Sequence, residues 1–108
     1  MEEKHYRQLV DDAFRRIDAA FEAVDPDLAE STFSQGTLII VFREKHQLIL
    51  SPQTPTRQIW AAFQDRAWHF DLRGDGTGWV DDRGQGIDLF ALVADLSRTA
   101  AGVTVTIR

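Results

Sequence analysis

Nine carboxylates fall within the first 35 residues: Glu2, Glu3, Asp11, Asp12, Asp18, Glu22, Asp25, Asp27 and Glu30. Against them stand four bases, Lys4, Arg7, Arg15 and Arg16, leaving a net of -5, whereas residues 36–108 balance eight acids with eight bases. Carboxylate oxygens are hard donors, suited to Fe²⁺, Fe³⁺, Mn²⁺ or Ca²⁺. Asp11, Asp18 and Glu22 recur at helical spacing on one face, about 6 to 10 Å apart. One ion would meet one or two of them and keep most of its water, so binding would be weak and unselective. Asp11 and Arg15, four residues apart, can pair and dilute the set further. The same charge has two other uses: it solvates a helix face, or it steers the chain onto a basic protein surface without any ligand geometry.

A second candidate is aromatic. In Arg57-Gln58-Ile59-Trp60-Ala61-Ala62-Phe63, strand alternation puts Ile59, Ala61 and Phe63 on one face and Gln58, Trp60 and Ala62 on the other. The Ile59 face suits a core, so Trp60 is expected on the open side of a sheet, where a partner would cover it; the alternatives are a second covering layer or an indole lying flat on its neighbours. In Leu38-Ile39-Ile40-Val41-Phe42 the set Leu38, Ile40 and Phe42 belongs to the core. Ile39 and Val41 then join Trp60 outside, either as strand-forming filler or as an apolar partner or self-association patch. Trp68 and Phe70 read as core, which turns His69 toward Trp60, as a solvated side chain or a partner or metal contact. His5 and His46 fall at a helix start and a turn.

Composition removes several classes. The chain has no cysteine, hence no disulfide, thiolate metal site or cysteine nucleophile. Its negative first third repels nucleic acid and anionic membrane. The longest apolar run, Leu38 to Phe42, is far too short to span a bilayer, and the acidic start does not resemble a basic leader, so a cytoplasmic protein is expected. Gly74-Asp75-Gly76-Thr77-Gly78 is glycine-rich but lacks the lysine and following helix of a phosphate loop. No nucleophile–base arrangement stands out, so no enzyme is expected.

The elements that must position these residues follow from periodicity. Tyr6, Val10, Ala13, Phe14, Ile17, Phe21 and Val24 predict a helix over 3–24, ended by Asp25-Pro26. Strands are expected at 29–34, 37–43, 47–51, 57–63, 67–72 and 79–80, with 52–56 breaking the pattern. Leu89, Leu92, Val93, Leu96 and Ala100 predict a second helix over 87–100, stopped by Gly102 and followed by an extended tail at 103–107. Helix, a run of strands, helix: the fold class is α+β, a two-layer α/β sandwich. Two helices cover one face of an antiparallel sheet of about five to six strands in a single domain, 1–108.

Gln53-Thr54-Pro55-Thr56-Arg57-Gln58-Ile59-Trp60 resembles the frataxin family, and in length and start its bacterial branch, CyaY. The likeness continues through Trp68-His69-Phe70-Asp71-Leu72, Trp79 and Asp82-Arg83 and covers essentially the whole chain. It implies the sandwich reached above and a role in iron–sulfur cluster assembly: weak iron binding (Fe²⁺/Fe³⁺) by an acidic ridge, and docking on the cysteine desulfurase. It also implies contact with the iron–sulfur scaffold protein through the sheet face. Asp11, Asp18, Glu22, Asp25, Asp27 and Glu30 fall where the family's ridge runs, as metal-binding candidates. Gln53, Pro55, Gln58, Trp60 and His69 match sheet-face positions. Partner binding is assigned to Gln53, Gln58, Trp60 and His69 with Glu22 and Asp25, on a monomer that a metal could assemble further. The other reading is an iron carrier delivering Fe²⁺ to the scaffold. Departures from the family are Ser51-Pro52 in place of an Asn and a base, Ala19, Ala20, Ala23 and Ala29 where relatives are often acidic, and Gly86 at the expected cap of helix two.

Overall fold

A computed structural model describes residues 1–108. Helix α1 spans Glu3–Ala20, six strands follow as β1 (Ala29–Ser34), β2 (Thr37–Phe42), β3 (Gln47–Gln53), β4 (Gln58–Phe63), β5 (Arg66–Leu72) and β6 (Trp79–Asp81), and α2 spans Leu89–Ala101. The strands form one antiparallel sheet in sequence order, β1 to β6. Both helices lie on the same face and share one apolar core with it. The α+β sandwich expected from the periodicity is the fold observed.

Period-2 alternation decides which residues enter that core. Leu38, Ile40 and Phe42 of β2, Leu48 and Leu50 of β3, and Ile59, Ala61 and Phe63 of β4 are buried, as are Trp68 and Phe70 of β5. From the helices come Tyr6, Val10, Ala13, Phe14 and Ile17, and Leu89, Leu92, Val93 and Leu96. Each fully buried Phe, Leu or Ile contributes about 1.5–3 kcal/mol relative to exposure. The tail beyond Gly102 forms no strand, yet Val103 and Val105 are buried. Tyr6 fixes α1 to the sheet: its hydroxyl donates to the Gln58 carbonyl oxygen at 2.5 Å, and burial pushes its pKa up.

Several boundaries differ from the sequence reading, most by a single residue; the larger shifts have physical causes. Helix α1 ends at Ala20 rather than residue 24, because Phe21 and Glu22 donate to the carbonyls of Asp18 and Ala19, tightening the chain into turns. Phe21 remains buried, so its apolar spacing reported burial and not helix. Strand β3 runs through Pro52 to Gln53. Pro52 pairs with Ile59 of β4 but lies beyond Leu50, where the β2–β3 pairing stops, so its missing N–H interrupts no ladder on that side. Arg57 is the left-handed cap of a short 3-10 turn, Thr54–Thr56, and β4 starts one residue later than expected.

Helix α2 starts at Leu89, and its cap is Asp88, whose carboxylate accepts the Ala91 N–H; Gly86 has no capping part. Ile87, expected in the first turn, gives its N–H to Asp81 instead. Gly102 stops the helix as expected, at φ 65°, with N–H groups of Gly102 and Val103 returned to Arg98 and Ser97.

Asp81 organises the β6–α2 connection. Its carboxylate is buried, which raises its pKa, but it accepts the backbone N–H groups of Ile87, Gln85 and Arg83, and these win, holding it below the ordinary carboxylate value. A folded value lower than the unfolded one means a contribution present above the unfolded carboxylate pKa and lost as pH falls through the folded one. Asp81→Asn should therefore melt lower than the wild type at neutral pH. Thermal melts should show that gap closing as pH drops below about 4. In the core, Phe70→Ala should cost about 3–5 kcal/mol in denaturant titrations.

Candidate functional site

Two features stand out: an acidic border where α1 meets the β1 edge, and an aromatic cluster on the uncovered outer face of β4 and β5. Strand β1 is the sheet's edge and packs beside α1, with Phe33 against Phe14 at 6.3 Å between ring centres. Asp18 comes from the last turn of α1, Glu22, Asp25 and Asp27 from the connection that follows and Glu30 from β1. Asp18, Glu22 and Glu30 line one groove of about 200 Å³, and Asp27 and Glu30 line the next, together with Arg43 and Lys45. Asp11 lies farther along α1, in a groove with Arg7 and the Gln35-Gly36 turn.

The six carboxylates therefore follow one border without converging. No group of three His, Asp or Glu side chains is close enough to hold an ion. Asp18 accepts the Ser31 hydroxyl and Asp25 accepts the Asp27 N–H at 2.9 Å. None of the six forms an ion pair. The helix pairs are Arg7–Glu3, Arg15–Asp12, Arg16–Asp12 and Arg98–Asp95. The expected Asp11–Arg15 pair is absent because Arg15 reaches Asp12 at 2.6 Å, three residues back, leaving Asp11 without an ion pair.

The outer face is built by register. Thr32, Ile39, Ile49, Ala62 and Ala67 face one another in a row across β1 to β5, and Ser51, Trp60 and His69 form the row beside it. Ile39 and Val41 are half-buried and Ile49 is 37% exposed, so the outward direction expected for the β2 pair holds. Trp60 also points outward but is not bare. Its indole stacks on the His69 ring, with centres 4.2 Å apart and planes 15° apart, and its Nε1–H donates to Gln58 Oε1 at 2.9 Å. The indole lies flat on a neighbour, one of the alternatives left open by the sequence.

Gln58 donates in turn from Nε2 to Asp71 Oδ1 and to Asp82 Oδ2, both at 3.0 Å, and Asp82 Oδ2 lies 3.5 Å from His69 Nδ1. The structure thus brings Gln58, Trp60 and His69 together. Gln53 pairs with Gln58 at the end of the ladder, but its side chain makes no hydrogen bond to the cluster. Asp71 and Asp82 were not among the site residues read from the sequence. For Asp71 the strand pattern held the signal, since it shares outward parity with His69; Asp82, beyond the end of β6, has no strand parity to follow and stood out only as part of the family resemblance.

A frataxin-like domain model matches residues 1–103. The chain belongs to the frataxin-like family. It is 32% identical over 105 residues to the iron–sulfur cluster assembly protein CyaY of Aeromonas salmonicida, covering 97% of both chains. It is 32% identical over 108 residues to the protein of the same name from Dechloromonas aromatica, covering all of both. Among solved structures, the frataxin of Psychromonas ingrahamii superposes with a TM-score of 0.87 at 23% identity, over 97% of this chain and 96% of that one. A yeast frataxin crystallised with ferrous iron gives 0.63 at 23% identity, over 95% and 88%.

The absence of ion pairs along the border has a measurable consequence. Glu22→Gln and Glu30→Gln should change stability by no more than about 0.5 kcal/mol. Asp18→Ala, which removes the acceptor of the Ser31 hydroxyl, should cost about 1 kcal/mol. Urea titrations of the three variants against the wild type check the difference.

Proposed function

We propose that this chain is a frataxin-like, weakly iron-binding protein that docks on the cysteine desulfurase complex and modulates iron–sulfur cluster assembly. Family membership supports the pathway, since the curated relatives are named as iron–sulfur cluster assembly proteins. The observation that carries docking is the acidic border. Asp18, Glu22, Asp25, Asp27 and Glu30 line the β1 edge with no ion pair among them, next to an outer face bearing Trp60 and Gln58. Unpaired surface charge that follows an edge suits a basic protein surface, because steering needs a summed field and no fixed ligand sphere. The sheet face then meets the scaffold protein. The protein acts by binding rather than by catalysis, as a monomer, in the cytoplasm alongside the desulfurase.

The donor set fits iron as cargo at low affinity. Hard oxygens are right for Fe²⁺ or Fe³⁺, and Asp18, Glu22 and Glu30 share a groove, but with no three side chains converging each ion keeps most of its water. The carrier reading draws on a structural neighbour, the yeast frataxin solved with ferrous iron. In that reading the ridge delivers Fe²⁺ to the scaffold and docking is secondary.

Desulfurase turnover with and without Fe²⁺, using wild type and a variant with the ridge neutralised, separates the two. An effect that persists without iron is expected, and one seen only with iron favours the carrier. The double charge reversal Glu22→Lys, Asp25→Lys should weaken desulfurase binding about tenfold or more at low salt. Wild-type binding should itself weaken as the Debye length shrinks toward about 3 Å near 1 M salt. Unchanged binding by the double variant at low salt would count against the docking edge. In Mn²⁺ or Fe²⁺ titrations, any single ridge carboxylate replaced by its amide should lower affinity only a few-fold, about 1 kcal/mol or less.

A further inference from the structure

We propose that Asp82 is the positioning residue of the sheet-face site, holding Trp60 through two arms that meet at one oxygen. Asp82 Oδ2 accepts from Gln58 Nε2 at 3.0 Å, and the far end of the same amide accepts the Trp60 indole N–H at 2.9 Å. That oxygen also lies 3.5 Å from Nδ1 of His69, the ring on which the indole is stacked. The polar edge of the indole and one of its faces thus both lead back to a single carboxylate.

The chemistry of the amide explains why a carboxylate is needed. Asp71 Oδ1 and Asp82 Oδ2 both face the Gln58 NH₂ group, and ionised carboxylates only accept hydrogen bonds. Turned the other way, the amide oxygen would face two anionic oxygens and its NH₂ would face the indole N–H. The acid pair therefore commits Gln58 to the orientation in which it can accept from Trp60.

Asp82 is itself well fixed. Its backbone N–H donates to the His69 carbonyl oxygen at 2.8 Å, and the preceding residue, Asp81, ties the loop through Arg83, Gln85 and Ile87. With its N–H satisfied inside the protein, Trp60 offers a partner apolar and π surface, continuous with the row of Ile49, Ala62 and Ala67, and no hydrogen-bond donor. The effect of this on docking rests on the function proposed above; the holding of Trp60 does not.

The test follows the three indole N–H signals of ¹⁵N-labelled protein, with Trp60 assigned by its loss in Trp60→Phe. In Asp82→Ala the Trp60 indole N–H should shift and exchange with solvent about tenfold faster or more, while those of Trp68 and Trp79 stay in place and report an intact core. Asp82→Asn, of the same shape, should give a smaller shift of the same signal, and it carries the measurement if the alanine variant does not fold. A Trp60 signal unmoved in Asp82→Asn and Asp82→Ala overturns the proposal.

For docking, Gln58→Ala and Asp82→Ala should each weaken desulfurase complex binding by a similar factor, about three- to tenfold, and the double variant should be no weaker than either. Losses that multiply would mean independent contacts and overturn it. If wild type does not bind the complex at all, the docking function fails, and the indole exchange still decides whether Asp82 holds Trp60.

Discussion

Only one face of the sheet is covered by helices, and the buried face imposes its register on all six strands. Along β2, β3, β4 and β5 the inward positions hold fully or nearly fully buried side chains from Leu38 to Phe70. A slip of one residue in any of these strands would carry its whole apolar set into water, so the core specifies the pairing strongly. The outer face has no such freedom of its own. Where Trp60, His69 and Ile39 point is a by-product of where Ile59, Phe70 and Ile40 must go.

The exposed edge follows from the same arrangement. Strand β1 has a partner on one side only, and a bare strand edge invites unwanted pairing. Charge along that border, from Asp18 on α1, Glu22 just past its end and Glu30 on the strand, works against edge-to-edge association with another copy while remaining available to a basic partner. Leaving these acids without arginine partners is consistent with both effects. The arginines of α1 pair instead with Glu3 and Asp12.

Asp81 and Asp82 show how neighbouring identical side chains take different work. Asp81 has inward parity on β6 and is buried, where it survives as an anion because three backbone N–H groups replace its water. Asp82 faces outward and meets Gln58 and His69. The loop that caps α2 through Asp88 is thereby tied to the cluster around Trp60, so core, loop and outer face are mechanically continuous.

Sequence by itself determined the fold class, the parity of β2, β4 and β5, the stop at Gly102 and the clustering of negative charge before residue 35, because these depend on composition and local periodicity. The family was legible in the run from Gln53 to Trp60. Only the tertiary structure decided that Phe21 is buried beyond the end of α1, that Asp88 rather than Gly86 caps α2, and that Arg15 takes Asp12 and leaves Asp11 alone. It also decided that the ridge carboxylates line a border without converging on one point. The stack of Trp60 on His69 and the bonds from Gln58 to Asp71 and Asp82 join residues up to 24 positions apart. Such contacts have no local period: they exist because antiparallel pairing folds distant segments side by side, and side-chain geometry then selects among the neighbours that pairing supplies.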